Sequence, residues 1–247
     1  MHETDGPYWL EPDSDPALFP DPSFALEEPD GLLAVGGDLS PARLLNAYRQ
    51  GIFPWFSEGQ QILWWSPNPR AVLYPEQFKI SRSLQKNLRK RPFRVTMDTA
   101  FAQVIAKCSE SRIDKDGSQS GTWITEEMKQ AYIELHRIGF AHSVECWEGE
   151  ELVGGLYGVS MGKVFFGESM FARRSDASKI GFAYLVKQLT AWGFALIDCQ
   201  VHSDHLASLG AVDIPRDHFL ALLDHHCDPF EAHQGPWQLD DAIASGW

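Results

Sequence analysis

Between residues 141 and 171 the chain carries three strand-length apolar runs, 141–147, 151–159 and 163–171, separated by gaps too short for any helix. Runs spaced this closely fold back on one another, so an antiparallel meander is expected, with Ser160-Met161-Gly162 as its second turn. A helix from about Ser175 to Gly193 and a fourth strand over 194–201 follow. Two of these strands break their own apolar pattern. Gly167-Glu168-Ser169-Met170-Phe171 and Leu196-Ile197-Asp198-Cys199-Gln200 each place a carboxylate where burial is costly unless the group is paired or does chemistry. Glu168 and Asp198 are therefore expected at neighbouring strand ends that line one cleft.

The remaining elements extend this pattern. Arg94–Met97 is strand-like and Thr99 to Cys108 helical, and Thr125-Glu126-Glu127 opens an amphipathic helix through Tyr132, Leu135 and Ile138 that stops at Gly139. After the fourth strand come a shorter helix and a last element over Asp217–Leu223. The order is helix, three antiparallel strands, helix, strand, helix, strand, as in GNAT-type (acyl-CoA N-acyltransferase-like) domains. The expected class is α+β, with a mostly antiparallel mixed sheet flanked by helices over residues 71–247. Residues 1–18 are acidic and contain prolines, and read as a flexible extension. A small N-terminal domain is expected over 19–70. Its helix is capped by Ser40, has Pro41 at the first position and runs through Leu44, Leu45 and Tyr48 to about Gln50. The prolines of Trp64-Trp65-Ser66-Pro67-Asn68-Pro69-Arg70 break regular structure there, and the two tryptophans are read as packing at the domain junction.

Composition limits the function classes. No apolar stretch approaches the ~20 residues of a membrane span, and the acidic start Met1-His2-Glu3-Thr4-Asp5 is unlike a signal peptide. A cytoplasmic protein is expected. Four cysteines without CxxC spacing read as buried free thiols in a reducing compartment. A net charge of −13 argues against general affinity for nucleic acid. The stretch from Lys79 to Arg94 reverses that sign, with no acidic residue in it. As a helix from about Ser81 it places Arg82, Lys86 and Arg89 on one face with Lys90 beside them. That face is either a solvated helix surface or a polyanion site. Asp224-His225-His226-Cys227-Asp228 looks ligand-rich, but adjacent residues do not converge on one ion, and no metal is expected. His202 and His205 are read as structural.

From about Phe19 to Leu223 the chain resembles the leucyl/phenylalanyl-tRNA–protein transferase family. The motifs that carry the resemblance are GLLAVGGDLSPARLLNAYRQGIFPWF, WWSPNPRAVL, the basic segment after Ile80, GTWIT, AHSVECW, LVGGLYGV, FFGESMF, ASK, LIDCQV and HLASLGA. The resemblance implies a two-domain protein with a GNAT-like C-terminal part that uses no acetyl-CoA, no metal and no organic cofactor. It implies transfer of Leu or Phe, less readily Met, from the respective tRNA to the N-terminal amine of proteins that begin with Arg or Lys. The product would be marked for N-end-rule degradation. It also places Glu168 in the substrate cleft, bound to the amino group of the aminoacyl moiety or to the cationic acceptor, with a structural carboxylate satisfied by backbone amides as the competing role. It matches Trp55 and Trp123 to tryptophans at the 3′ adenosine, with domain-interface packing as the competing role of Trp55.

The chemistry of such a transfer is aminolysis of an activated ester. An α-amine with a pKa of about 8 is partly neutral at physiological pH, so positioning outweighs the need for a strong base. Asp198 and Gln200, two apart on a strand, are expected on one face, Asp198 polarising Gln200 and Gln200 holding the amine. Ser169 reads as a hydrogen-bond donor rather than a nucleophile, since no GxSxG elbow surrounds it. Leu156, Phe165, Phe166, Met170, Phe182, Leu185 and Ile197 are candidates for an apolar aminoacyl pocket, with core packing the competing role of each. Arg82, Lys86, Arg89 and Lys90 would hold the acceptor stem through its phosphates. Two other readings compete. One is an acetyl-CoA-dependent N-acetyltransferase, disfavoured because Phe171 to Lys179 lacks the glycines of a pyrophosphate turn; the other is a non-catalytic tRNA-binding module. Nothing requires assembly, and a monomer is expected.

Overall fold

A computed structural model describes residues 6–110, 112–113, 119–120, 123–228 and 235–247. The N-terminal part builds a four-stranded sheet from β1 (Tyr8–Leu10), β2 (Leu32–Gly36), β3 (Phe53–Pro54) and β4 (Leu63–Trp65), in the order β1-β2-β4-β3. Helix α1 (Pro41–Arg49) starts as its sequence dictates, with the Ser40 hydroxyl accepting from the Arg43 N–H and Pro41 in the first turn. One side of α1 buries Leu44, Ala47 and Tyr48.

The larger sheet has seven strands: β5 (Arg70–Leu73), β6 (Arg94–Met97), β9 (Ala141–Glu148), β10 (Glu151–Met161), β11 (Val164–Ala172), β12 (Leu196–Gln200) and β13 (Val212–Ile214). Its order is β13-β5-β12-β11-β10-β9-β6, and β11 with β12 is its parallel pair. A two-stranded ribbon, β7 (Arg112–Ile113) and β8 (Gln119–Ser120), interrupts the chain before the fourth helix. The helices are α2 (Arg82–Lys90), α3 (Phe101–Cys108), α4 (Glu126–Arg137), α5 (Ala177–Ala191), α6 (Asp204–Ser208), α7 (Arg216–His226) and α8 (Asp241–Ala244). This is the α+β class expected, a mostly antiparallel mixed sheet with helices on both faces.

Side-chain alternation along the strands sorts the core into two halves. Tyr157 and Phe166 join α1, α3 and α4 on one face, whereas Leu156 and Phe165 join α2 and α5 on the other. The α2 helix buries Leu84 and Leu88 and leaves Arg82, Lys86, Arg89 and Lys90 exposed. Trp237, in the C-terminal segment, is buried against the second half, its ring stacked 3.8 Å from His142.

Three expectations change. Within the segment read as a flexible extension, Tyr8–Leu10 pairs with β2, because Leu10 is apolar enough to bury and the edge of β2 offers unpaired backbone groups. The prolines between Trp65 and Arg70 occupy only the link, and regular strands stand on either side of it. Asp217–Leu223, placed last in an order ending in a strand, lies in α7; Phe219 and Leu223, four apart, bury the same helix face, and the strand is the shorter Val212–Ile214 before it. Among the described residues no helix is long and apolar enough to cross a membrane.

Gly158 marks a β-bulge between β10 and β11, and a Cβ built there would lie 2.6 Å from Phe165 Cζ and against the Phe166 carbonyl. Gly158→Ala is expected to lower stability by about 1–3 kcal/mol through overpacking, measured by urea unfolding.

Candidate active site

The cavity forms where two strands part. The β11–β12 ladder ends at Phe166–Asp198, yet β11 runs on to Ala172 and β12 to Gln200. Beyond the last ladder rung a side-chain bond takes over: Gln200 Nε2 donates to Glu168 Oε1 at 2.8 Å. A cavity of about 530 Å³ opens at this point. Glu168, Ser169, Asp198 and Gln200 line its polar part, and Leu156, Phe165, Met170, Phe182 and Ile197 its apolar part. Trp55 and Trp123 also line it, so residues far apart in the sequence meet here.

Asp198 is fully buried and bound by Arg70. Arg70 Nε donates to Oδ1 at 2.8 Å and Nη2 to Oδ2 at 2.6 Å, a two-pronged ion pair. The same guanidinium donates to the Gly51 carbonyl at 3.1 Å and lies between the rings of Phe53 and Phe219, 4.8 and 4.6 Å from their centroids. Asp198 Oδ1 also accepts the Gln200 main-chain N–H at 2.9 Å. That bond holds Gln200 at φ +64, a left-handed conformation costly for a side chain other than glycine. A bulge between Asp198 and Gln200 goes with it and re-aims the glutamine. Asp198 therefore orients Gln200 through the backbone, not by contacting its amide.

Glu168 is held by hydroxyls. Tyr48 Oη lies 2.7 Å from Oε1 and Tyr132 Oη 2.9 Å from Oε2. Burial pushes its pKa up to about 7; the donors Tyr48 and Tyr132 oppose that rise, the Asp198 charge adds to it, and Gln200 opposes it. Burial first, and the Glu168 charge second, raise both phenols well above their ordinary value, so both stay protonated.

Two expected pocket residues lie elsewhere. Phe166 points to the opposite sheet face from Phe165 and packs on Tyr48, because adjacent strand residues alternate. Leu185 is buried in the α5 core and does not reach the cavity. Trp64 is buried, its indole N–H on the Gly36 carbonyl, while Trp65 donates to the Trp55 carbonyl and packs beside that ring at 5.6 Å. Trp55 keeps 44% of its surface exposed. The basic face of α2 forms no part of the cavity lining.

Sequence reasoning missed Arg70, Tyr48, Tyr132 and His205. Arg70 was legible in principle, since a cation opening the apolar run Ala71-Val72-Leu73 needs a partner as much as Asp198 does. The tyrosines carried no such signal, each sitting where an amphipathic helix turns inward. His205, read as structural, lines the cavity, its pKa lowered by burial and then by Lys179. Among the described residues no group of three or more His, Cys, Asp or Glu side chains could hold a metal ion.

Comparison with known proteins bears on this site. A family model described as leucyl/phenylalanyl-tRNA protein transferase matches residues 72–224, and one described as the N-terminal domain of that protein matches 37–68. A leucyl/phenylalanyl-tRNA–protein transferase of Cellvibrio japonicus is 59% identical over 217 residues, 88% of this chain and 90% of its own length. Its counterpart in Pseudomonas fluorescens (strain SBW25) is 56% identical over 229 residues, 93% and 98% respectively. Among solved structures, L-PGS from Bacillus licheniformis aligns at TM-score 0.38 and 12% identity, over 71% of this chain and 57% of that one.

The buried ion pair makes a separable prediction. Arg70→Met leaves Asp198 uncompensated and is expected to lose about 3–5 kcal/mol in urea unfolding. Adding Asp198→Asn should recover much of that stability, since it removes the unpaired charge and keeps an oxygen that accepts the Gln200 N–H.

Proposed function

The chain belongs to the leucyl/phenylalanyl-tRNA–protein transferase family, enzymes that carry an aminoacyl group from tRNA to protein, and we propose how its site does so. The acyl groups are Leu and Phe, less readily Met, and the acceptors are proteins beginning with Arg or Lys, whose products enter N-end-rule degradation. The observation that carries this reading is one cavity with two characters: an apolar part lined by Leu156, Phe165, Met170, Phe182 and Ile197, and a polar end where Glu168, Gln200 and Asp198 are linked.

The aminoacyl side chain enters among Leu156, Phe165, Phe182 and Ile197, with Met170 as the deformable wall that fits either Leu or Phe. The 3′ adenosine stacks on Trp55 and Trp123, a contact worth about 1–3 kcal/mol. The ester carbonyl then lies toward Gln200. The acceptor amine, partly neutral at physiological pH, attacks that carbon, the bond to the ribose oxygen breaks, and the amine proton leaves as the alcohol departs. The donor is already activated, so no covalent enzyme intermediate is needed. Ser169 serves as a donor to the bound ester. Gln200 positions the nucleophile, and Asp198 keeps Gln200 in its strained conformation so that no rearrangement is required at the moment of reaction. The acceptor stem lies over α2, whose exposed Arg82, Lys86, Arg89 and Lys90 meet phosphates.

Purified protein given radiolabelled Leu-tRNA, Phe-tRNA or acetyl-CoA with an Arg-initiated peptide should label the peptide from the two tRNAs alone. Label from acetyl-CoA instead would overturn the reading. In an Arg70→Met background, which leaves no unpaired buried charge, Asp198→Ala is expected to cut turnover by about 100-fold or more relative to the unaltered protein while aminoacyl-tRNA binding persists.

Replacing Arg82, Lys86, Arg89 and Lys90 by Glu should weaken tRNA binding and reduce the slope of log affinity against log salt by about one per lost phosphate contact. An aminoacyl-adenosine donor, which lacks the stem, should still be used at the normal rate; loss of both activities would exclude a stem-specific role for α2.

A further inference from the structure

Tyr48 on α1, Tyr132 on α4 and Glu168 on β11 close a ring of oxygens beside the cavity. The two phenol oxygens lie 2.5 Å apart, Tyr48 Oη is 2.7 Å from Oε1, and Tyr132 Oη is 2.9 Å from Oε2. Each of these three contacts needs one proton to be a hydrogen bond. An ionised Glu168 leaves two phenolic protons for three contacts. If both point at the carboxylate, two phenol oxygens face each other at 2.5 Å with nothing between them. If Tyr132 turns to Tyr48, Oε2 loses its donor; if Tyr48 turns to Tyr132, Oε1 keeps the Gln200 amide but faces the Tyr48 oxygen at 2.7 Å with no proton between them. A neutral Glu168 supplies the third proton, and all three contacts are then filled in one direction around the ring, Oε2–H to Tyr132, Tyr132 to Tyr48, and Tyr48 to Oε1. The Gln200 amide remains as a second donor to Oε1.

The surroundings favour the same state. Both tyrosines are fully buried, so water does not reach between them. The other titratable groups facing Glu168 are Tyr157 from β10 and Asp198 from β12, and the Asp198 charge is matched by Arg70 from β5. Among the described residues no lysine or arginine forms an ion pair with Glu168 that would favour its anion. The upward shift of the Glu168 carboxyl agrees in direction.

We infer that Glu168 is a neutral carboxylic acid in the free protein, its proton held in a closed ring with Tyr48 and Tyr132, and that an ammonium group entering the cavity releases that proton. On release the Oε–H bond breaks, the proton passes to solvent, and the carboxylate pairs with the ammonium. This linkage rests on the proposed aminoacyl-transfer reading; the protonation state of the free protein does not. Tyr48 and Tyr132 are positioning residues that act through Glu168. Below the titration of Glu168 the cavity is thus without an unmatched charge while an apolar side chain enters, and an arriving ammonium turns it anionic.

Infrared difference spectra of the free protein against Glu168→Gln test the ring directly. A protonated-carboxyl C=O band is expected at about pH 6, absent from Glu168→Gln and titrating near the pKa of about 7. Tyr48→Phe decides the cause by its sign. Loss of the ring contact removes the need for the third proton, so the band should titrate at lower pH; a Tyr48 that merely donates to a carboxylate would on removal shift it higher. Calorimetry with 3′-deoxy-3′-(L-phenylalanylamino)adenosine, an unreactive amide of the aminoacyl end, in buffers of different ionisation enthalpy should report release of about one proton at that pH, and none for Glu168→Gln. Absence of the band, or an upward shift in Tyr48→Phe, overturns the ring. A band without proton release overturns the linkage. Failure of the amide to bind overturns the functional reading and the linkage, and leaves the ring standing on the spectra.

Discussion

The buried pair of Arg70 and Asp198 is the constraint around which this protein is arranged. A charge taken out of water is costly, and each of these groups is tolerated only because the other meets it in a two-pronged geometry. The pair joins the first strand of the large sheet to β12, and through the Gly51 carbonyl it also fastens the loop after α1. The remaining accepting capacity of Asp198 binds the Gln200 N–H and keeps that residue in a backbone conformation it would otherwise leave. One ion pair thus sets the sheet, the seating of the N-terminal part and the aim of Gln200.

A second consequence follows from where the parallel ladder stops. Main-chain hydrogen bonds join β11 and β12 only as far as Phe166 and Asp198, and past that rung the strands are free to diverge. The gap is roofed by Trp55 from the N-terminal part and by Trp123 before α4, and its inner wall is the apolar face shared by Leu156 and Phe165. Chemistry is concentrated at the gap because polar groups there are no longer consumed by the ladder.

Much of this was legible in the residues themselves. Strand and helix periodicity over 94–201 located the elements of the large sheet closely, since each apolar run is bounded by turn or capping residues such as Gly162, Thr125 and Gly193. The two misplaced carboxylates pointed to the cleft because an anion in an apolar strand is anomalous whatever the fold. Phe166 and Leu185 were not separable from the pocket wall by composition alone. Phe166 differs from Phe165 only in which face of a strand it occupies, and that parity depends on a bulge between Tyr157 and Gly158 that no pattern announces. Asp217–Leu223 is short enough that an apolar run reads either way; in the fold it lies in a helix that buries Phe219 and Leu223 on one face.

The sequence by itself determined the class of fold, the caps at Ser40, Ser81 and Thr125, the basic face of α2 and the identity of the two carboxylates, because each depends on spacing within a few neighbouring residues. Only the tertiary structure decided what each carboxylate does. Arg70 lies 128 positions from Asp198, and Tyr48 lies 120 positions from Glu168. Whether an acid is paired as an anion or held as a neutral group depends on the charges and donors brought within about 3 Å of it, and the folded chain brings these together from segments far apart in the sequence.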